Sequence, residues 1–505
     1  MRRYTQLAPV NRIGPRNPSR KGHSDEEQDP GILADLMEST EPTSAPGPPA
    51  TPAARPDRPR RPDKGQELEL VVDALAHGGN GVARHEGFVV FVGGTVPGDR
   101  VRARLVTRKK GYGEARLLEV LEPSPDRIEP VAHHPGAAWQ VMPYEMQLRV
   151  KHEQVQDALR RIGKLDGFQM QEIVPAVQQW GYRNKLEYSF GTGPDGGLVC
   201  GFHAPGSWET IIDGESLLGS ARANGARATV LAWCREQGLP AYDRRTQTGV
   251  LRNLVVREAR RTGQLQVRLV TSPVELDDLA VAHLAEALGA QSLIHTQYDG
   301  LGETTTGGVS TLLDGKDHIT EELCGLSFRI SADAFFQTNT EMAEHLYGVA
   351  AELADLKGWE RIYDLFCGIG TIGLSLSTRS GEIWGLEIIE DAIADAIRNA
   401  KANGIANAKF YAGDVRLALS ELVQIAGRPD VLVVDPPRAG LSQKIVRRII
   451  EANPKRIVYV SCNPTTLAPN AAQLVEAGYT LGRVRPVDMF PQTPHIETVA
   501  VLDRR

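Results

Sequence analysis

Four short apolar runs in the last third of the chain constrain its fold more than any other feature. Ile362-Tyr363-Asp364-Leu365-Phe366, Glu382-Ile383-Trp384-Gly385-Leu386, Val431-Leu432-Val433-Val434 and Arg456-Ile457-Val458-Tyr459-Val460 lack the polar alternation of a half-solvated strand. Amphipathic helical segments separate them. Strands apolar on both faces, interspersed with helices, form a parallel sheet covered on both sides. Residues 336–505 are therefore expected to form a doubly wound, Rossmann-like α/β domain, with Thr498 to Leu502 as a further strand.

The rest of the 505-residue chain is too long to share that one core, so two or three domains are expected. Residues 1–64, rich in Pro, Ser, Arg and Ala, are expected to be a disordered tail; its basic residues, Arg2, Arg3, Arg16, Arg20 and Lys21 among them, suit either RNA contact or plain solvation. Residues 65–124 hold short β-branched runs between Gly-rich turns, the pattern of a small barrel. Runs at 68–72, 88–92, 100–105 and 114–118 are its expected strands. Arg100, Arg102 and Arg104 alternate along the third, sharing one face, and Arg108, Lys109 and Lys110 continue a positive surface suited to phosphate or left as a solvated strand face. Residues 125–335 read as a mixed α/β central domain with a helix around Tyr144 to Ile162.

After the first apolar strand comes Asp364-Leu365-Phe366-Cys367-Gly368-Ile369-Gly370-Thr371-Ile372-Gly373. Its glycines allow a tight strand-to-helix turn and close approach of a ligand to backbone. Gly368, Gly370 and Gly373 also satisfy the dinucleotide fingerprint, and Glu387, ending the next strand, is placed for ribose hydroxyls that NAD and S-adenosylmethionine both present. This pair of features leaves both cofactors open. Asp414 follows a third strand and suits an adenine amino group. Val434-Asp435-Pro436-Pro437-Arg438 puts a carboxylate at the sheet edge where such folds bind ligands, before a loop stiffened by two prolines.

Strand Ile457 to Val460 runs into Ser461-Cys462-Asn463-Pro464, presenting a thiol at the same edge. A free cysteine is more often a buried small hydrophobe; a position at a strand end beside a proline turn argues for chemistry. Asp488-Met-Phe-Pro-Gln-Thr-Pro-His495-Ile496-Glu497 then enters the last strand, where desolvation can raise a carboxyl towards the range of a useful base. Thiol and base together suit a reaction at carbon 5 of uracil, a poor nucleophile until a thiolate adds to carbon 6. Cys462 is the expected nucleophile and Glu497 the base.

Taken in order, Asp364-Leu-Phe-Cys-Gly-Ile-Gly-Thr, Asp435-Pro-Pro-Arg, Ser461-Cys-Asn-Pro and His495-Ile-Glu497 resemble the RNA (uracil-5-)methyltransferase family, over roughly residues 65–505. Asp73-Ala-Leu-Ala-His-Gly-Gly-Asn-Gly-Val-Ala with Val96-Pro-Gly-Asp-Arg-Val resembles a TRAM domain, a small RNA-binding, OB-like barrel. The resemblance implies a class I methyltransferase domain using S-adenosylmethionine, with Gln337, Phe366, Thr371, Glu387, Asp414 and Asp435 as cofactor-binding residues. It also implies RNA contact by Tyr182-Arg183-Asn184-Lys185, with Arg102, Lys109 and Lys110 on the barrel; a solvated basic turn is the alternative for the first. RNA is the implied partner, ribosomal RNA before tRNA.

Many TRAM-bearing relatives of this family carry Cys-x5-Cys-x2-Cys and a later Cys that ligate a [4Fe-4S] cluster. Here the stretch reads His133-His134-Pro-Gly-Ala-Ala-Trp139-Gln140, with Glu215 near the later position, so no iron-sulfur cluster and no other metal is expected. The two histidines are expected at the surface.

Composition narrows the remaining classes. A net charge of -6 gives no global argument for nucleic-acid binding, so any basic surface is local. Five scattered cysteines with no CxxC pair exclude a disulfide framework and fit a reducing cytoplasm. No apolar run is long enough to span a bilayer, and the N-terminus lacks a signal-peptide core. A monomer is the default. An NAD-dependent oxidoreductase is the alternative enzyme, leaving Cys462, Glu497 and the barrel without a use; a non-catalytic RNA-binding protein is the third reading.

Overall fold

The structure is a computed structural model and describes residues 61–505. The expected tail therefore lies, through residue 60, outside the described residues.

Strands β1 (Glu67–Leu75), β2 (Gly81–His85), β3 (Phe88–Val92), β4 (Arg100–Arg108) and β5 (Tyr112–Glu122) close into a barrel in the order β1-β2-β3-β5-β4. Alternation fills it: Leu68, Leu70 and Val72 point inward with Val101, Ala103 and Leu105. The sequence pattern misses β2 because Gly81 looks like part of a turn. In the barrel that glycine is a packing requirement, since a Cβ there would lie 2.0 Å from Thr95 Oγ1.

The next strand, β6, is only Gln169–Met170. Strands β7 (Lys185–Thr192), β8 (Leu198–His203), β9 (Ile211–Asp213), β10 (Leu251–Ala259), β11 (Gln264–Thr271), β12 (Ser292–Gln297) and β13 (Val309–Gly315) form a sheet ordered β13-β12-β11-β10-β7-β8-β9. Helices Ala221–Glu236 and Asp278–Leu288 cover one face over Leu186, Tyr188, Val256, Val267 and Leu293. Register puts Lys185, Glu187 and Ser189 on the other face beside Arg257, Val255 and Asn253. The segment between β12 and β13 lies over this polar face: Thr305 Oγ1 donates to Glu187 at 3.0 Å and Asn253 Nδ2 donates to Glu303 at 2.7 Å.

A hairpin, β14 (His318–Leu323) and β15 (Leu326–Ser331), leads to the last layer. Here β16 (Arg361–Leu365), β17 (Glu382–Glu387), β18 (Ala408–Ala412), β19 (Val431–Val434), β20 (Arg456–Ser461), β21 (Tyr479–Val487) and β22 (Glu497–Arg504) form an eight-stranded sheet with β6. Its order is β18-β17-β16-β19-β20-β22-β21-β6, with β22 running antiparallel between β20 and β21. Both faces are buried, as the uninterrupted apolar runs require. Ile362, Val433 and Val458 face one core, and Tyr363, Leu432 and Ile457 the other. The α/β fold class and the N-terminal barrel are thus as the sequence indicates.

The segment from Tyr144 to Met170 belongs to this layer, although the sequence places it in the central domain. Helix Tyr144–Asp157 widens into a π turn over Ala158–Ile162, and Val155, Leu159 and Leu165 join the core under β16, β19 and β20. β6 then extends the sheet edge against β21. Among the described residues no helix is long and apolar enough to cross a membrane.

Candidate active site

Strand register brings thiol and carboxylate together. Ser461 pairs with Thr498 and Val460 with Val499 across the antiparallel β20–β22 ladder, so the residue after Ser461 meets the residue before Thr498. Those two are Cys462 and Glu497. Asp435 directly follows β19, the neighbour of β20 on its other side.

The thiol loop is held from both sides. Ser461 Oγ donates to the Asn463 carbonyl at 3.0 Å, and the Asn463 N–H returns to Ser461 Oγ at 3.2 Å. Asn463 Oδ1 caps the helix Pro464–Glu476 by accepting from the Thr465 N–H at 3.0 Å, with Pro464 in the first turn, where its missing N–H costs nothing. Asn463 Nδ2 also donates to the Arg438 carbonyl at 3.2 Å, tying the thiol loop to the Pro-Pro-Arg loop.

A cavity of about 1110 Å³ opens at this sheet edge, and its wall includes Gln337, Phe366, Thr371, Glu387, Asp435, Cys462 and Glu497. Phe366 sits at φ +61°, a conformation rare for an aromatic residue and costly enough to mark a site where it has a use. Glu387 Oε1 accepts from the Ile388 and Ile389 N–H groups at 2.7 and 3.1 Å, and Oε2 from the Gly368 N–H at 3.3 Å, so its carboxylate spans the glycine turn. Thr371 Oγ1 bonds the Tyr347 hydroxyl at 2.9 Å. Asp364, to which the sequence gives no role, lies beneath the turn. Its Oδ2 accepts from the Gly373 N–H at 2.9 Å, while Oδ1 is buried with no partner.

Burial dominates the electrostatics. Glu497 is 4% exposed, and burial followed by the nearby Asp435 holds its carboxyl well above the ordinary range. Burial raises Asp435 to about 7. It raises Asp364 to about 7 as well. The Cys462 thiol is pushed up to about 12 by burial and then by Glu497 and Asp435, against the opposing pull of Arg438. His495 falls to about 3 through burial, then Arg438 and Arg183. Seven acidic side chains stand in the cavity wall against three arginines, and the five besides Asp435 and Glu497 still outnumber them, so the free site favours a cationic guest.

Some expected site residues are spent elsewhere. Asp414 is absent from the cavity wall: it caps helix Val415–Ala426 through the Arg416 N–H at 2.9 Å and pairs with the Arg416 side chain. Asn184 is buried and donates to the Gln337 carbonyl and to Thr340 Oγ1, both at 2.9 Å, which fixes the backbone at Gln337. Lys185 is paired with Glu187 at 2.5 Å. Arg183 is half-buried near His495, with its Nε unpartnered. On the barrel, Arg102 pairs with Glu119 at 2.9 Å, Arg104 with Glu67 at 2.6 Å and Arg100 with Glu69 and Glu122 at 3.0 and 2.5 Å. The three do share a face, but carboxylates of adjacent strands cancel its charge. Lys109 and Lys110 are exposed in the β4–β5 turn.

His134, expected at the surface, is buried instead. Its Nδ1 accepts from the Gly136 N–H at 3.1 Å, while Gln140 closes the same loop through the Val131 N–H and the Ala132 carbonyl at 2.9 and 2.8 Å. With no thiolate there, and no group of three potential metal ligands among the described residues, this stretch does not fit an iron-sulfur cluster.

Residues distant in sequence hold the Glu497 segment. Lys151 and Asp488 form an ion pair at 2.7 Å with both side chains at 0% exposure. Lys151 Nζ also donates to the Phe490 carbonyl at 3.0 Å, and Tyr144 donates to Asp488 at 2.9 Å. Gln147 exchanges two bonds with Gln492, both 2.9 Å. No local pattern reveals these contacts, because each partner is ordinary in its own segment.

The chain is similar to known proteins over most of its length. The family described as tRNA (Uracil-5-)-methyltransferase matches residues 311–505, and the TRAM domain matches residues 63–118. A protein named as an RNA methyltransferase from Halalkalibacterium halodurans is 38% identical over 448 residues, 87% of this chain and 98% of that protein. One from Porphyromonas gingivalis is 37% identical over 458 residues, covering 85% and 98% respectively. Among solved structures, the tRNA (uracil-54, C5)-methyltransferase of Pyrococcus abyssi, in complex with S-adenosyl-L-homocysteine, superposes with a TM-score of 0.72 at 28% identity over 86% of this chain and 99% of that one. A thiol and a buried carboxyl across one strand pair, at the open edge of a Rossmann-like sheet behind a TRAM barrel, are thus found in a chain that belongs to the RNA (uracil-5-)methyltransferase family.

Proposed function

We propose that the protein methylates carbon 5 of a uridine in RNA, using S-adenosylmethionine and a transient bond between Cys462 and the uracil ring. The observation that carries this reading is the adjacency of Cys462 and Glu497 across the β20–β22 register.

The cavity suits the methyl donor. Its excess of carboxylates matches a sulfonium, and Glu387, Gln337, Phe366 and Thr371 stand with the open glycine turn, where a Cβ on Gly368 would meet nothing within 4 Å. When bound, S-adenosylmethionine supplies an electrophilic methyl group and a positive charge. Asp414, held by Arg416, is not part of this proposal.

Cys462 adds through sulfur to carbon 6 of the uracil, and the ring electrons move towards carbon 5 and the carbonyl at carbon 4. Carbon 5 thereby becomes nucleophilic. Once it carries the methyl group, Glu497 takes the carbon-5 proton and the Cys462 sulfur leaves carbon 6, restoring the ring. Burial raises both the Cys462 thiol and the Glu497 carboxyl, so positive charge in the cavity would favour the ionised form of each. Asp435, beside both, faces the same space. Arg183, Lys109 and Lys110 are the cations proposed to meet RNA; Arg102 and Lys185, already paired, contribute less.

Ribosomal RNA is the first substrate to test, on the strength of the barrel and central sheet; tRNA is the second reading, favoured by the similarity to the P. abyssi enzyme. Mapping 5-methyluridine in ribosomal RNA and tRNA, with and without the protein, decides between them. Cys462→Ala is expected to abolish transfer. Glu497→Gln is expected to slow turnover by roughly 10²–10⁴-fold, the usual contribution of a positioned base, while leaving a protein–RNA adduct visible on a denaturing gel. A Cys462→Ala enzyme of normal rate would sink the covalent route.

A further inference from the structure

The central sheet carries a second cavity, of about 250 Å³, that the methyl-transfer chemistry does not use. It lies where β7, β8 and β10 meet the loops around residues 204–210 and 240–250. Trp208 stands in its wall, 54% exposed, with the Arg244 and Arg245 guanidinium groups each 5.8 Å from its ring centre. Arg252 is 6% exposed and lies between Tyr242 and Tyr298, at 3.8 and 5.3 Å from their ring centres. Its Nε donates to Ser272 at 3.1 Å and its Nη1 to the Gly302 carbonyl at 3.2 Å.

Charge decides what class of guest suits this space. Arg244, Arg245 and Arg252 are matched by Asp243, Glu209 and Glu303. Arg244 pairs with Glu303, and Arg245 with Glu209. His203 adds no charge: burial and then Arg244 lower its pKa, and its Nδ1 is buried without a partner. A phosphate gains little from cations already engaged. A flat, neutral group with both donors and acceptors on its edge suits an exposed indole framed by guanidinium and carboxylate groups. The volume is below the usual range for drug-sized ligands, so it holds one ring system rather than a whole cofactor.

The cavity is also linked to the catalytic one. Glu303, in its wall, is held by Asn253 at 2.7 Å and His203 at 2.9 Å. It lies on the segment joining β12 to β13, and these strands send Ile294, Ser310 and Leu312 into the wall of the large cavity.

We propose that the second cavity is a nucleobase subsite, in which an unstacked base of the RNA, distinct from the target uridine, stacks on Trp208. The proposal rests on the reading of the chain as an enzyme acting on RNA. Holding a second base would unfold the RNA locally and set which uridine reaches Cys462.

The test compares wild-type protein with Trp208→Ala and Trp208→Phe. Trp208 is exposed and outside the catalytic cavity, so both variants are expected to fold. With total RNA from cells lacking the protein as substrate, Trp208→Ala is expected to raise KM roughly tenfold with kcat little changed, as for loss of one base–aromatic stack; Trp208→Phe retains most of the affinity. Binding of a short fluorescent single-stranded RNA is expected to fall by a similar factor at low and at raised salt, because a stacking contact releases no counterions. An affinity loss that disappears as salt rises, or an unchanged KM and affinity, would overturn the subsite. Wild-type protein that binds this RNA in a Trp208-dependent way yet methylates none would overturn the proposed activity and leave the subsite standing.

Discussion

Single side chains at the catalytic edge are tuned by what surrounds them, and Asp435 shows how this can be measured. Its folded-state pKa, about 7, lies above the ordinary value of 3.8. Between those values the folded chain keeps a proton that the unfolded chain releases, so stability falls as pH rises from about 4 to about 7 and is level above. Asp435→Asn removes that cost. Thermal melts are expected to show the variant gaining about 4 kcal/mol over wild type at pH 8 and almost nothing at pH 4. An equal gain at both would refute a desolvated carboxyl. The place of Cys462, Glu497 and Asp435 at the cavity is legible in sequence because each follows or begins an apolar strand at the sheet edge. The hydrogen bonds of Asp414 and Asn184 are not, since a helix cap or a buried amide clamp asks for the same residue type as a ligand contact. The ion pairs of the barrel arginines are hidden from sequence for another reason: Glu67, Glu69, Glu119 and Glu122 sit on different strands, and only register places them opposite.

At the scale of elements, strand periodicity gives the barrel and the parallel sheet, and the four parallel strands it delimits fall within a residue or so of their expected bounds. Strands β7 to β15 and β21 are not individually placed by it, and two others escape for identifiable reasons. Glycine concealed β2, and β6, with two residues, is too short to have a period. Helix Tyr144–Asp157 was visible as a helix, but its destination was not, because nothing local to Lys151 names Asp488. That contact supplies an element-level prediction. Lys151→Met leaves Asp488 buried without its counter-ion, and urea unfolding should register a loss of about 3–5 kcal/mol. The pair Lys151→Met with Asp488→Leu should recover much of it, since neither charge then remains buried. If the single variant is as stable as wild type, the helix does not fix the segment leading to Glu497.

The whole molecule is knit by contacts that cross its sheets. Gln154, on the same helix, donates to the Leu75 and Ala76 carbonyls of the barrel at 3.0 and 3.1 Å. Beside them Gly79, at φ +93°, leaves no room for a side chain: a Cβ would lie 2.9 Å from Pro494 Cβ and 3.0 Å from Trp139 Nε1. Gly79→Ala is expected to cost about 1–3 kcal/mol through strain and to lower methylation, because the barrel loop would push on the segment before Glu497. Normal melting and normal 5-methyluridine formation would show that the barrel is merely tethered. The ion pair between Lys151 and Asp488 spans 337 positions along the chain. Translation at about 5–20 residues per second puts tens of seconds between the emergence of that lysine and of its aspartate. Throughout that interval the nascent helix lacks its counter-charge, and for most of it the strands it packs under, so the catalytic layer is completed late in synthesis, around a piece made early.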